Sequence, residues 1–122
     1  MADKLKLLVV DDEEALRTIV RHELESYGYD VHEAEDGDAA LQKLNSHRFD
    51  LVILDIYMPT IDGMEVLRKI REKNLANKVI MLTGVNELKI ARESLALGAN
   101  DFITKPYDFK NLMACIDRVL KE

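Results

Sequence analysis

The chain contains little cysteine, proline or glycine: one Cys, two Pro and five Gly in 122 residues, with no Trp. A single cysteine, Cys115, cannot form an internal disulfide, which agrees with a reducing compartment. Because 48% of the residues are hydrophobic, the composition excludes a disordered chain. The longest apolar runs are strand-sized, short of the roughly 20 residues of a membrane span, and residues 1–6 lack the apolar core of a signal peptide. We therefore expect one cytoplasmic domain over residues 1–122.

Positive charge is also scarce, and the histidines are not clustered in sequence. With 17 Lys and Arg against 23 Asp and Glu, the formal net charge is -6, which argues against a surface that binds duplex DNA. Any direct contact with nucleic acid would need another domain. His22, His32 and His47 lack the spacing of zinc ligands, so we expect packing or surface roles for them.

Apolar runs and helical apolar spacing alternate five times along the chain. The predicted strands are residues 5–10, 29–34, 51–54, 78–82 and 100–103. A predicted helix follows each strand, and in the first helix Leu16, Ile19, Val20, Leu24 and Tyr27 recur at three- and four-residue spacing. We interpret Leu16 and Ile19 as core residues. Five strands alternating with five helices predict a three-layer α/β domain with a parallel sheet.

Polar residues follow four of the predicted strands, at the end where the chain leaves the sheet. They are Asp11 and Asp12 after the first strand, Asp55 after the third, Thr83 after the fourth and Lys105 after the fifth. Because the carboxyl ends of parallel strands share one edge, these side chains should meet there. Each has an ordinary alternative role: a helix cap for Asp12, a capping box with Glu14 for Asp11, a turn residue for Asp55, a strand-end hydroxyl for Thr83 and a solvated charge for Lys105.

Together these residues predict a phosphoryl-transfer site. Three converging carboxylates repel one another and would have raised pKa values without a cation, and oxygen ligands of this kind suit Mg²⁺. Lys105 and Thr83 would then surround a tetrahedral dianion beside the metal. Asp55, on the central strand, is the best-placed nucleophile toward a phosphoryl group.

Four motifs give the chain a resemblance to the receiver domain of two-component response regulators over essentially its whole length. They are VVDDE at residues 9–13, LVILDIYMPTIDG at 51–63, LTG at 82–84 and LGANDFITKP at 97–106. The resemblance implies a CheY-like, flavodoxin-like fold with strand order 2-1-3-4-5. It also implies that Asp55 accepts a phosphoryl group from the phosphohistidine of a histidine kinase or phosphotransfer protein, so that the chain is a signalling domain and not a conventional enzyme.

The resemblance further implies a metal site and a phosphate-pairing lysine. Mg²⁺, or Mn²⁺ in its place, would be bound by Asp12, Asp55 and the backbone carbonyl of Tyr57, with Asp11 acting mainly through water. Lys105 would pair with the phosphoryl group, and its peptide bond to Pro106 is expected to be cis.

Two further pairs of residues are implied to control the response. Thr83 and Phe102 match the family's switch pair, which would reshape the face of the fourth helix, fifth strand and fifth helix after phosphorylation. Tyr57 and Val85 stand in the positions that flank the phosphoryl group, where a short polar or acidic side chain could position water. They therefore predict slow self-dephosphorylation.

The expected partners are a histidine kinase or phosphotransfer protein and a downstream protein. The kinase is expected to dock near the first helix and the loop after the fifth strand. Asn100, Asn111 and Cys115 replace an acidic residue, an acidic residue and an arginine that pair across the dimer of winged-helix regulators. This favours a stand-alone receiver that acts as a monomer. The alternative is a receiver domain cut from a longer DNA-binding or enzymatic regulator.

Two other functional classes fit the sequence less well. A small Mg²⁺-dependent phosphohydrolase of the haloacid-dehalogenase type would place a second Asp where this chain has Tyr57. A scaffold that never takes phosphate usually lacks an acidic residue, the threonine or the lysine, and none is missing here.

Overall fold

The computed structural model describes residues 4–58, 61–84 and 86–122, in which strands and helices alternate. The elements are β1 (Lys6–Val10), α1 (Glu14–Ser26), β2 (Asp30–Ala34), α2 (Gly37–Ser46), β3 (Phe49–Asp55), α3 (Gly63–Lys73), β4 (Ala76–Gly84), α4 (Leu88–Ala96), β5 (Asp101–Lys105) and α5 (Phe109–Lys121). None of the helices in these residues is long and apolar enough to span a bilayer.

The strands form one parallel sheet in the order β2-β1-β3-β4-β5, so the predicted α/β fold with strand order 2-1-3-4-5 is confirmed. In this register Val10 lies beside Leu54, and Gly84 lies beside Lys105. The carboxyl ends of β1, β3, β4 and β5 therefore meet at one edge of the sheet.

Helices cover both faces of the sheet. On one face, Leu8, Val10, Val52 and Leu54 pack with residues of α2 and α3. On the other face, Leu7, Val9, Leu51 and Ile53 pack with residues of α1 and α5. Because successive strand residues point to opposite faces, a strand covered on both sides must be apolar at every position. This explains the uninterrupted apolar run at residues 51–54 and leaves Asp55 at its buried end.

Three strands are longer than, or displaced from, their predicted ranges. β3 begins at Phe49, β4 runs from Ala76 to Gly84, and β5 continues to Lys105. The additional residues pair with neighbouring strands: Phe49 lies beside Ala76, and Gly84 beside Lys105. Strand length here depends on the partner strand as well as on the local apolar pattern.

Helix α1 buries a narrower stripe than its apolar spacing indicates. Val20 and Leu24 are buried and Leu16 packs partly against them, but Ile19 is 61% exposed. The interpretation of Ile19 as a core residue is therefore wrong. Successive helical residues are about 100° apart around the axis, so burial of Val20 turns Ile19 toward solvent.

Helix α4 also leaves large apolar side chains at the surface. Ala91 and Ser94 are its buried residues, whereas Leu88 and Leu95 are exposed. Small side chains at the buried positions let the helix backbone lie close to the sheet, and the leucines remain available for contact with another molecule.

Candidate functional site

Three aspartates lie together at the carboxyl edge of the sheet. Asp11 follows β1 and Asp55 ends β3, and both are buried, whereas Asp12 is exposed. One carboxylate oxygen of each residue lies within 4.8 Å of the others. The parallel pairing of β1 with β3 brings these residues together, because Val10 and Leu54 are register partners.

The Asp11 carboxylate is fixed through both of its oxygens. Oδ1 accepts a hydrogen bond from the Glu13 backbone N–H at 2.9 Å, and Oδ2 accepts one from Lys105 Nζ at 2.8 Å. Glu13 is the N-cap residue of α1 and no side chain makes a capping hydrogen bond there. Asp11 and Glu14 therefore do not form the capping box that their spacing allows.

Lys105 connects β5 to this acidic cluster. Its ammonium lies 2.8 Å from Asp11 Oδ2, 3.1 Å from Asp55 Oδ2 and 3.7 Å from Glu13 Oε1. Burial lowers the pKa of Lys105, but the hydrogen bonds and charges of the two aspartates outweigh it and hold the pKa above its ordinary value. Lys105 is therefore a fixed positive charge of the site and not a solvated surface charge.

Asp55 has an environment that disfavours its ionised form. Burial raises its pKa, and the negative charge of Asp11 adds to that effect, while the hydrogen bond from Lys105 only partly opposes it. The other carboxylate oxygen of Asp55 accepts the Tyr57 backbone N–H at 3.3 Å. Asp55 therefore makes the hydrogen bond to its own backbone that is typical of a turn residue, and it also contacts Lys105.

The donor set fits a hard divalent cation. Three carboxylates face one ammonium group, so a negative charge remains uncompensated, and all the candidate ligand atoms are oxygens. Asp11, Asp12 and Asp55 are the residues that could hold Mg²⁺. Tyr57 lies two residues after Asp55, and its side chain is about half exposed.

Thr83 and Phe102 lie on the neighbouring strands β4 and β5. Thr83 is 1% exposed, and its hydroxyl donates to the carbonyl oxygens of Gly84 at 3.3 Å and Glu87 at 3.5 Å. Phe102 is half-buried and packs against the core cluster that contains Leu8, Val10, Val52 and Leu54. The Lys105–Pro106 peptide is cis. Val85 lies outside the described residues.

The start of α3 packs closely against the backbone of Asp55, a contact that the sequence does not reveal. The first residue of α3, Gly63, donates its N–H to the Ile56 carbonyl at 2.7 Å. A Cβ atom at Gly63 would lie 2.2 Å from the Asp55 backbone oxygen. The glycine in the sequence signals a turn, but only the structure shows that it lets α3 begin against the end of β3.

Other residues next to the site also escaped sequence reasoning. Tyr107 is half-buried beside Lys105, and burial, followed by the charge of Asp11, raises its pKa to about 12. Arg17 of α1 donates to the Asp11 carbonyl oxygen at 2.7 Å. A cavity of about 340 Å³, lined by Glu13, Leu16, Lys105, Pro106 and Tyr107, opens beside these residues. In the sequence, nothing distinguishes Arg17 from the other charged residues of the first helix.

The histidines have the packing or surface roles predicted for them, and His22 is exposed on α1. His32 and His47 lie with ring centroids 5.5 Å apart, and His32 packs edge-on against Phe49 at 5.4 Å. Among the described residues, the acidic cluster at Asp11, Asp12 and Asp55 is the group of three potential metal ligands.

Comparisons with known proteins identify the family to which this sequence is similar. The family model described as "Response regulator receiver domain" matches residues 7–117. The alkaline phosphatase synthesis transcriptional regulatory protein PhoP of Bacillus subtilis is 40% identical over 116 residues, which are 95% of this chain and 48% of PhoP. The chain thus spans about half the length of this relative.

Solved structures of response regulators have the same fold as this chain. The chemotaxis protein CheY4 of Vibrio cholerae has a TM-score of 0.89 and 34% identity, covering 96% of this chain and 99% of CheY4. NtrX from Brucella abortus has a TM-score of 0.90 and 32% identity, covering 98% of this chain and 27% of NtrX.

Proposed function

The chain belongs to the response regulator receiver domain family, a family of signalling domains and not of conventional enzymes, and we propose that Asp55 is its phosphoacceptor. The donor would be the phosphohistidine of a histidine kinase or phosphotransfer protein, and the chain would accept the group in the cytoplasm. One observation carries the proposal: Asp55 is 7% exposed, 3.1 Å from Lys105, and clustered with Asp11 and Asp12.

In the proposed transfer, an Asp55 carboxylate oxygen forms a bond to phosphorus as the bond from phosphorus to the imidazole nitrogen breaks. The electron pair of the broken bond stays on the imidazole. Lys105 is held in place by Asp11 and can neutralise charge on the transferred group. Bound Mg²⁺ would supply further neutralisation of that charge.

Asp11, Asp12 and the Tyr57 backbone carbonyl are the groups proposed to hold the metal with Asp55, Asp11 acting mainly through water. Support comes from the uncompensated negative charge of the cluster and from its all-oxygen donors. Because Asp12 is exposed, a metal held there would be open to water, which suits an ion that keeps several water ligands.

The proposed switch uses Thr83 and Phe102. The hydroxyl contacts of Thr83 are long, at 3.3 and 3.5 Å, so a charged phosphoryl oxygen would compete well for this donor. Movement of Thr83 toward Asp55 would vacate space for the Phe102 ring. The response would then reach a downstream protein through the face formed by α4, β5 and α5, where Leu88 and Leu95 are exposed.

The acyl phosphate is proposed to decay slowly. Tyr57 stands two residues after the acceptor and has a bulky, half-exposed ring where a short polar or acidic side chain could orient an attacking water. Val85 is proposed to slow the decay in the same way, because it stands two residues after Thr83, at the other position that flanks the phosphoryl group.

The kinase is proposed to dock on the start of α1 and the loop after β5. Ala15, Ile19 and Pro106 are exposed there, and the cavity beside Lys105 lies between these two segments. The exposure of Ile19, which removes it from the core, supports its use as a contact residue.

The relatives differ in how much of their length this chain matches. PhoP and NtrX extend well beyond the part that this chain matches, which favours the receiver of a longer regulator over the stand-alone domain expected from the sequence. CheY4, by contrast, is matched over 99% of its chain. The proposed phosphotransfer site is the same in both arrangements.

We also propose that the isolated chain is a monomer. Asp101 pairs within the chain with Arg118, and the Asn100 side-chain oxygen accepts hydrogen bonds from Arg71 and from the Val79 N–H. These polar groups of β5 and the turn before it are therefore already engaged. Sedimentation at the mass of one chain, before and after phosphorylation, is the expected result.

Intact-mass measurement after incubation with phosphoramidate or acetyl phosphate tests the proposed acceptor. With Mg²⁺ the parent chain should gain one phosphoryl group that hydroxylamine removes, and a chelator should prevent the gain. Asp55→Ala should remain unmodified. Asp50→Ala, which removes a carboxylate at the other end of β3, is the matched control and should react like the parent. An adduct that persists in Asp55→Ala would refute the assignment.

A further inference from the structure

Arg17 links helix α1 to the backbone of the acidic cluster. Its side chain is 11% exposed, and one terminal guanidinium nitrogen donates to the Asp11 carbonyl oxygen at 2.7 Å. The Nε atom of the same guanidinium lies 3.1 Å from Glu33 Oε1 on β2. The planar fork of arginine lets one side chain make both contacts in a fixed geometry.

Glu33 is itself held by a second arginine. Arg21, one helical turn after Arg17, pairs with Glu33 Oε2 at 3.1 Å and with Glu25 at 3.2 Å. Arg21 is about half exposed, and its described contacts are to glutamates. The two arginines therefore share one carboxylate and carry the same charge, but the contact with Asp11 is made by Arg17.

The carbonyl oxygen that Arg17 binds belongs to the peptide between Asp11 and Asp12. A peptide unit is planar and stiff, so fixing its oxygen fixes the direction in which the chain continues to Asp12. The N–H of Asp11 is also bound, to the Ala34 carbonyl at 3.2 Å. Asp12 is exposed, so the position of its carboxylate depends on the backbone that carries it.

We propose that Arg17 is a positioning residue for the metal-binding carboxylates Asp11 and Asp12, oriented in turn by Glu33. The inference rests on the proposed function, since it requires that this cluster binds Mg²⁺. Outer partners of metal ligands commonly change metal affinity by about 10–100-fold when they are removed. Arg17 differs from such partners in acting on the backbone of a ligand and not on its carboxylate.

The sign of the effect separates positioning from simple electrostatics. Loss of a positive charge near a cation site should strengthen Mg²⁺ binding by Coulomb's law. Loss of a positioning contact should weaken it. Arg17→Met and Arg21→Met remove the same charge and similar stems from neighbouring turns of α1, so the second variant measures the electrostatic contribution.

The test is the Mg²⁺ dissociation constant of each variant, followed through amide NMR shifts of residues 11–13 and 55–57 in metal titrations. Urea unfolding without metal measures stability separately. We expect Arg17→Met to raise the dissociation constant by about 10-fold relative to the parent. Arg21→Met should bind Mg²⁺ as tightly as the parent or slightly more tightly. Arg17→Lys should also bind weakly, because an ammonium cannot reproduce the two-pronged contact.

Each outcome decides the question. If Arg17→Met binds Mg²⁺ as tightly as the parent or more tightly, the positioning role is wrong, even if Arg17→Met is less stable to urea. If Arg17→Met does not fold, Arg17→Lys with parent-like affinity overturns the proposal and with weakened affinity supports it. A parent chain that does not bind Mg²⁺ would overturn the proposed metal site itself, and this inference with it.

Discussion

At the residue scale, the proposed function depends on a few polar groups whose hydrogen bonds differ in strength. Lys105 is held by two aspartates at 2.8 and 3.1 Å, whereas the Thr83 hydroxyl has only two long contacts to carbonyl oxygens. Strong charge-assisted hydrogen bonds keep the lysine in place before the proposed phosphorylation. The weakly held hydroxyl is the group that can change partners at small cost.

Thr83→Ala should separate phosphorylation from the response. The variant keeps Asp55, Lys105 and the metal ligands, so it should still gain the phosphoryl group. It should lose most of the phosphorylation-induced amide NMR shifts of β5 and α5, because the hydroxyl that couples them is absent. Thr83→Ser, which keeps the hydroxyl, should retain the shifts.

Thr104→Ala is the control for removing a threonine methyl and hydroxyl at this place in the sheet, since Thr104 is the register partner of Thr83. It should respond to phosphorylation like the parent. Equal shifts in Thr83→Ala and the parent would contradict the switch role.

At the element scale, the site depends on how closely α3 begins beneath β3. Gly63→Ala would place a Cβ atom 2.2 Å from the Asp55 carbonyl oxygen and 2.8 Å from the Ile56 Cα, so the backbone must move. We expect the free energy of unfolding to fall by about 1–3 kcal/mol, the usual cost of overpacking, and phosphorylation of Asp55 to slow. Urea unfolding and the rate of mass gain measure the two effects.

Gly28→Ala is the comparison within the same chain. Gly28 has a φ of +95° and no atom within 4 Å of the added Cβ, so only backbone strain opposes the substitution. The cost should be about 1–2 kcal/mol of stability, with an unchanged phosphorylation rate. If both alanine variants lose phosphorylation equally, close packing at Gly63 is not specific to the site.

At the scale of the whole molecule, stability should depend on pH through His32. This residue lies on β2 against Phe49, and burial, aided by the charges of Lys43 and Lys6, lowers its pKa despite the nearby Asp30. The unfolded chain therefore binds this proton more readily than the folded chain. Stability should fall as the pH falls below about 6.5, with a slope of at most about 1.4 kcal/mol per pH unit from this one group.

His32→Phe should remove that part of the pH dependence. Urea unfolding at several values between pH 5 and 8 measures it, and His22→Gln, at an exposed position of α1, should leave the dependence as it is in the parent. An unchanged slope in His32→Phe would show that other groups are responsible.

Local patterns in the sequence determined the alternation of strands and helices and, through it, the parallel sheet. A run such as residues 51–54 can be stable only where both faces are covered, and parallel pairing follows when helices connect the strands. The gathering of Asp11, Asp55 and Lys105 at one edge was therefore predictable. Strand order 2-1-3-4-5 was not, because periodicity carries no information on which strands are neighbours; the family resemblance supplied it.

Other features were decided by the tertiary structure alone. Ile19 fits the apolar spacing of α1 as well as Val20 does, and only the direction of the helix against the sheet turned it outward. Arg17 contacts the Asp11 carbonyl, and the Thr83 hydroxyl contacts the carbonyl oxygen of Glu87. Both contacts depend on side-chain orientation and backbone position. Lys105 meets Asp11 across 94 residues of chain at 2.8 Å. Sequence periodicity records which face a residue occupies, whereas such distances are set by how the faces are packed together.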